Sequence, residues 1–252
     1  MKVAVVTGGS SGIGQSAALQ LARRGTGVIL TYSSNARGAE DTVSRIEQLG
    51  GTAVALPLDI GDTTAFPAFR DAVAGALRET FQRDSFDHLV NNAGFAGEAL
   101  IADTTEQQFD RLADGLFKGP FFLTRTLLPL LADGGAIVNL TSNSALRHVT
   151  APGYSVYAAC KGAMAVMTRY MAKEFSSRGI RVNSVAPGAT RTRFADDAFD
   201  KYPEIIPELA KTFALGRVGE PDDVGAVIAV LVSDEGRWIT GQDIEVSGGQ
   251  NL

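Results

Sequence analysis

Residues 3–14, VAVVTGGSSGIG, run a short β-branched strand straight into a glycine-rich loop and then into the helical pattern IGQSAALQLARR. Gly8, Gly12 and Gly14 therefore stand between a strand and the N-terminus of a helix. Without Cβ atoms the chain there turns tightly and approaches an anion closely, while the helix's free N–H groups and dipole favour negative charge. The loop reads as a phosphate site. Taken alone, the same glycines also suit a plain βα turn, and their spacing is not the GxGxxG form.

Beyond the loop, GVILTY, a helical stretch over 36–49 and TAVALPLD complete a βαβαβ pattern. It resumes with DHLVNN, a helix over 104–132, AIVNLTS, a helix through YAACKGAMAVMTRYMAKEFSSR, IRVNSVAPG, a helix near PDDVGAVIAVLVS, and DIEVSGG. Seven strand candidates alternating with helices predict one α/β domain over residues 1–252, a Rossmann-type doubly wound seven-stranded parallel sheet with helices on both faces. The one irregular insertion, residues 190–216, TRTRFADDAFDKYPEIIPELAKTFALG, reads as a substrate lid over the carboxyl edge of the sheet.

Composition narrows the function classes. The chain has 252 residues, 45% of them hydrophobic, enough for one domain with a large core. A net charge of -5 without runs of like charge offers no basic stripe for nucleic acid and no polybasic patch for a membrane. The opening MKVAVVTGG lacks a signal-peptide pattern, and no later apolar run approaches the roughly 18 residues of a spanning helix, so a cytoplasmic location is expected. Cys160 is alone, and His88 and His148 are far apart without cysteine neighbours, so neither a disulfide nor a metal site is readable.

The loop matches TGxxxGxG through Thr7, Gly8, Gly12 and Gly14, and four further segments follow in order: NNAG at 91–94, IVNLTS ending at Ser142, YAACK at 157–161 and PGATRT at 187–192. Together with the ending GRVGEPDDV…ITGQDIEVSGGQ, they make the whole chain resemble the short-chain dehydrogenase/reductase family, including its 3-oxoacyl-acyl-carrier-protein reductase and glucose dehydrogenase-like branch. The resemblance implies a nicotinamide dinucleotide held by the loop (Thr7, Gly8, Ser10, Ser11, Gly12, Ile13, Gly14). It further implies Asp59 and Ile60 beside the adenine, Asn92, Ala93 and Gly94 along the middle, and Pro187, Gly188, Thr190 and Thr192 at the carboxamide end. At the end of the second strand an acidic residue would bind the ribose hydroxyls of NAD. Here Tyr32 is followed by Ser33, Ser34, Asn35 and Arg37, donors that suit a phosphorylated ribose, so NADP(H) is preferred and NAD(H) is the alternative. Ser11 departs from the basic residue many NADP-using relatives carry in the loop.

Reducing a carbonyl needs a proton donor, and a tyrosine serves if its pKa falls from ~10 to about 7, roughly 4 kcal/mol of phenolate stabilisation. A neighbouring ammonium supplies such stabilisation, and residues four apart share a helix face. In YSVYAACK that spacing joins Tyr157 to Lys161, whereas Tyr154 lies seven from the lysine and reads as a pocket wall. By resemblance Tyr157 is the acid/base, Lys161 also binds the nicotinamide ribose, and Ser142 steadies the substrate oxygen. Counting back from Tyr157 points to Ser144 instead; Ser142 is kept because it is fixed to a strand end while the loop after it absorbs the extra length. Ser144 is the alternative, and either serine also reads as a plain strand-end cap. One family position departs: Leu116 stands where an asparagine usually helps hold a relay water. Two readings follow, a working enzyme whose relay runs otherwise, or a cofactor-binding protein with decayed chemistry.

Cys160 reads as packing, and Arg147 and His148 are either substrate contacts or solvated loop. The SGGQ ending carries no functional conclusion. The helix after Tyr157 is apolar on more faces than one sheet contact requires, which together with the resemblance implies a homotetramer, against a monomer with the lid packed there. The lid mixes Phe194, Phe199, Ile205, Ile206, Leu209 and Phe213 with Asp196, Asp197 and Asp200, suiting a small uncharged or partly apolar substrate. An acyl-carrier thioester, a sugar and a steroid alcohol are the alternatives.

Overall fold

The computed structural model describes residues 1–146 and 148–252, and within the helix Phe194–Lys201 it describes every side chain but those of Ala195 and Asp196. Seven parallel strands, β1 (Val3–Val6), β2 (Gly27–Tyr32), β3 (Ala53–Pro57), β4 (Phe86–Asn91), β5 (Leu131–Leu140), β6 (Arg181–Pro187) and β7 (Asp243–Val246), lie in the order β3-β2-β1-β4-β5-β6-β7. This is the doubly wound arrangement expected from the alternation. The order reverses between β1 and β4, so their carboxyl ends open a crevice, the place where such sheets bind ligands. Pairing of Val6 with Val90 sets the glycine loop beside the NNAG segment at that point.

Side-chain parity assigns the two faces. Val3, Val5 and Ile29 point into one core with α3 (Phe66–Phe81), α5 (Gly119–Leu127) and α6 (Ser155–Glu174). Ala4, Val6, Val28 and Leu30 point into the other with α1 (Gly12–Arg23), α2 (Ala36–Gln48) and α9 (Pro221–Val232). Alternate residues leave a strand on opposite faces, so near-continuous apolar runs are what a doubly covered sheet requires.

Three elements differ from the sequence expectation. Helix α3 is not named by the alternation, yet Phe66, Phe69, Val73, Ala76, Leu77 and Phe81 carry its buried stripe at helical spacing. The helix expected over 104–132 is broken into α4 (Glu106–Ala113), a π-turn (Asp114–Lys118), α5 and a 3₁₀ turn (Leu128–Leu130). Pro120 has no N–H for the carbonyl of Leu116 four residues back, and in the π-turn the Gly119 N–H reaches Asp114 instead. Strand β5 begins at Leu131, earlier than AIVNLTS suggests. The insertion 190–216 contains α7 (Phe194–Lys201) and α8 (Ile205–Ala210).

Candidate active site

The glycine loop is built for close approach. Gly8 and Gly12 have φ of 67° and 56°, a left-handed conformation costly for other residues. A Cβ on Gly14 would run into the Gly8 carbonyl oxygen, and one on Gly12 would lie 3.0 Å from the Thr192 methyl. Thr7 faces β4: its hydroxyl accepts from the Asn92 and Ala93 N–H groups, each at 2.9 Å, while the Asn92 amide donates to the Thr7 carbonyl at 2.9 Å. From the other side the Thr42 hydroxyl donates to the Gly9 carbonyl at 3.0 Å, and the Asn35 amide to that of Ser10 at 3.2 Å. Asn35 also caps α2, accepting from the Gly38 N–H. Its side chain is thus spent on bracing the loop, which leaves Ser33, Ser34 and Arg37 exposed beyond Tyr32.

Ser11 caps α1 with no side-chain hydrogen bond, and no acidic residue stands in the first turn, so the helix dipole faces the loop unneutralised. This cradle fits a dinucleotide pyrophosphate. Ile13 and Tyr32 pack against the core below it. Around the crevice, Asp59 accepts from the Gly61 N–H at 2.9 Å, and Ile60 is buried. Gly94 lies beside Lys161 and Leu116. Gly188, just beyond Pro187 at the end of β6, packs against Ser247, and Thr190 donates to its carbonyl at 2.9 Å.

Ser142, Tyr157 and Lys161 converge in one buried corner where β5 ends and α6 begins. Tyr157 is 7% exposed and Lys161 6%, and the lysine ammonium sits 5.8 Å from the tyrosine ring centroid. Lys161 donates to the Leu140 carbonyl at 2.7 Å. Burial pushes this lysine down to about 8. The phenol goes the opposite way from the lowering anticipated from sequence: burial raises Tyr157 to about 12, opposed by a hydrogen bond from Ser142 and reinforced by Tyr154. The neutral, proton-carrying form is therefore the resting one. Ser142 and Ser144 are not exclusive, since their hydroxyls bond each other at 2.8 Å and the Ser144 N–H donates to Ser142 at 3.2 Å.

Aromatic walls surround the corner. Tyr154 meets Tyr157 edge-on at 6.2 Å, and Phe194 of the insertion lies 5.7 Å from the Tyr157 ring. Burial, with Glu98 beside it, raises the Tyr154 phenol. Phe95, Leu112, Gly153 and Val156 help line an adjoining cavity of about 110 Å³. Leu116 is 1% exposed in a cluster with Leu112, Tyr157 and Cys160. Burial likewise raises the Cys160 thiol, which fits packing rather than redox chemistry. His148 turns to Glu245 at 3.1 Å on β7, and Arg147 and the side chain of Asp196 lie outside the described residues.

Sequence reading missed the C-terminal clamp. The buried Gln250 accepts from the Asn143 amide at 2.9 Å and the Ala189 N–H at 3.2 Å, tying the serine loop to the loop after β6. Below, Asn91 donates to Asn139 at 2.8 Å and Asn139 to Thr168 of α6 at 2.8 Å, while Asp243 accepts from both Thr141 and Ser184 at 2.7 Å. Polar letters inside apolar strand runs are the only local signal for these groups. Among the described residues no three His, Cys, Asp or Glu side chains gather as metal ligands, and no helix is long and apolar enough to cross a membrane.

Known proteins resemble this chain along its length. Residues 8–251 match the family described as enoyl-(acyl carrier protein) reductase. A 3-oxoacyl-(acyl-carrier-protein) reductase of Staphylococcus aureus is 36% identical over 254 residues, covering 100% of this chain and 98% of that one. The promiscuous reductase LugOII, which catalyses keto-reduction at C1 during lugdunomycin biosynthesis, superposes with a TM-score of 0.94 at 39% identity, covering 100% of this chain and 98% of that one. The angucycline C-6 ketoreductase LanV, solved with bound NADP, gives 0.92 at 34% identity, covering 98% and 95%. With its parallel sheet, braced glycine loop and Ser142–Tyr157–Lys161 corner, the chain belongs to the short-chain dehydrogenase/reductase family and is an oxidoreductase.

Proposed function

We propose that the protein is an NADP(H)-dependent reductase that interconverts a carbonyl and a secondary alcohol on a small uncharged or partly apolar molecule. The observation that carries this reading is the buried corner, where a neutral Tyr157 stands with the hydroxyl of Ser142 and the ammonium of Lys161. The cofactor supplies a hydride when bound, and Thr7, Gly8, Ser10, Ser11, Gly12, Ile13 and Gly14 form its pyrophosphate cradle. Ser33, Ser34 and Arg37 offer hydroxyl and guanidinium donors with no carboxylate among them, which suits the 2′-phosphate and favours NADP(H) over NAD(H). The NADP-bound relative LanV supports the same choice. Asp59, Ile60, Asn92, Ala93, Gly94, Pro187, Gly188, Thr190 and Thr192 line the rest of the cofactor's path.

In the reduction, Tyr157 gives its phenolic proton to the substrate oxygen, Ser142 donates a hydrogen bond to the same oxygen, and Lys161 fixes the ribose and favours the phenolate left behind. Tyr154, Phe194 and Phe95 present aromatic surface to a partly apolar substrate, and LugOII and LanV, which carry out keto-reduction, support a ketone as its reacting group. The 190–216 insertion closes over it as a lid. A second reading, reduction of a 3-oxoacyl carrier thioester, is favoured by likeness to the staphylococcal reductase. The exposed Phe109, Val166 and Tyr170 on α4 and α6 support assembly as a homotetramer.

The test is NADPH oxidation across cyclic and aromatic ketones, acyl thioesters, quinones and sugars, repeated with NADH. Turnover of a ketone that Tyr157→Phe reduces by at least about a thousandfold is the expected result. Tight NADPH binding with no turnover on any substrate would favour a non-catalytic binding protein, and full activity in Tyr157→Phe would remove the mechanism.

A further inference from the structure

We infer that this chain re-protonates Tyr157 through a pair of hydroxyls, Ser142 then Ser144, and that Ser144 is the relay residue facing solvent. The inference rests on the Tyr157 mechanism proposed above. Three observations carry it. First, the lysine side of the site is shut: Lys161 is 6% exposed and donates to the Leu140 carbonyl at 2.7 Å. Second, the Leu116 side chain is buried beside it and brings a methyl where a polar group would be needed. A Cβ on Gly94 would lie 3.1 Å from Leu116 Cδ2 and 3.9 Å from Lys161 Nζ, so the leucine and the ammonium flank the same glycine.

Third, the serine side is continuous. Ser142 bonds the Tyr157 phenol, the Ser142 and Ser144 hydroxyls are 2.8 Å apart, and Ser144 is only half-buried. The Ser144 N–H also donates to the Ser142 oxygen, so the turn Asn143–Ala145 holds the two hydroxyls in register. A hydroxyl both donates and accepts, which lets it pass a proton without carrying a charge at rest.

The substrate carbon gains two electrons as the hydride of reduced nicotinamide, and its oxygen takes the Tyr157 proton. The phenolate takes the Ser142 proton, Ser142 that of Ser144, and Ser144 one from water. One solvent proton enters for each carbonyl reduced.

A double-mutant cycle on the steady-state turnover rate (kcat) with saturating NADPH and the best ketone tests this, since every turnover after the first needs Tyr157 re-protonated. Ser144→Ala should slow the step about tenfold in the Leu116 protein and less than twofold in Leu116→Asn, where the lysine side opens again, and Ser144→Thr should keep the rate. Equal losses in both backgrounds mean a structural role for Ser144 and overturn the relay, as does no loss at all. Should Leu116→Asn fold poorly, the proton inventory of the unmodified protein decides. A hydroxyl chain gives a bowed dependence of rate on deuterium fraction that turns linear in Ser144→Ala, and a linear dependence in both overturns it. Activity surviving in Tyr157→Phe would instead remove the mechanism beneath, a separate outcome.

Discussion

Lys161 shows what a functional residue costs the fold. Its ammonium is buried, and desolvation lowers it to about 8 from an ordinary 10.5. Below pH ~8 both folded and unfolded chains hold the proton, and the folded state bears the full desolvation penalty. Between about 8 and 10.5 the unfolded chain binds more protons, so stability rises with pH through that window. Lys161→Met should therefore stabilise the protein by about 1–3 kcal/mol at pH 7 and flatten the rise above pH 8, while abolishing turnover. Urea denaturation at pH 7 and pH 10 checks this, and a variant no more stable than its parent at pH 7 would refute it. Helical spacing in YSVYAACK was enough to choose Tyr157 over Tyr154. It could not show that burial drives the phenol and the ammonium in opposite directions, because desolvation depends on Leu116, Cys160 and other neighbours packed from elsewhere in the chain.

At the scale of elements, the glycine loop is where steric demand is most exacting. A methyl group at Gly14 meets the Gly8 carbonyl and the Asn92 amide, so the α1 N-terminus cannot keep its place against β4. Gly14→Ala should destabilise the fold by about 1–3 kcal/mol, the usual cost of overpacking, and weaken NADPH binding at least tenfold. Calorimetric titration and thermal melting together test it, and unchanged affinity would refute it. The same scale holds the clearest misreading by sequence. The stretch 104–132 has helical periodicity throughout, but Pro120 removes one N–H and the chain answers with the π-turn Asp114–Lys118. That widened turn carries Leu116 into the cluster beside Tyr157. Helix α3 was legible in principle from its Phe66, Phe69 and Val73 stripe, which Pro67 at the helix start does not interrupt.

Across the whole molecule, burial in the central strands links stability to pH. His88 on β4 pairs with Ala4 and Ala136, is 3% exposed, and has no hydrogen-bond partner for Nδ1. Burial lowers it to about 4 from 6.5, with Lys2 and Arg181 adding to the effect and Asp87 opposing it. As pH falls from 6.5 towards 4 the unfolded chain takes up a proton that the folded chain refuses, so about 3 kcal/mol of stability is lost over that range. His88→Leu should remove this acid step, seen as a smaller fall in melting temperature between pH 7 and pH 4.5; an unchanged fall would assign the step to other groups. The alternation of seven strands with helices, the glycine loop between β1 and α1 and the helical spacing of Tyr157 and Lys161 are legible in the sequence alone, because each depends on steric fit or periodicity among near neighbours. The shared hydroxyls of Ser142 and Ser144, the clamp in which Gln250 reaches Asn143 across 107 positions, and the depressed Lys161 and His88 were decided only by tertiary structure. Exclusion of water and the partners of buried polar groups belong to the packed chain, and no local pattern encodes them.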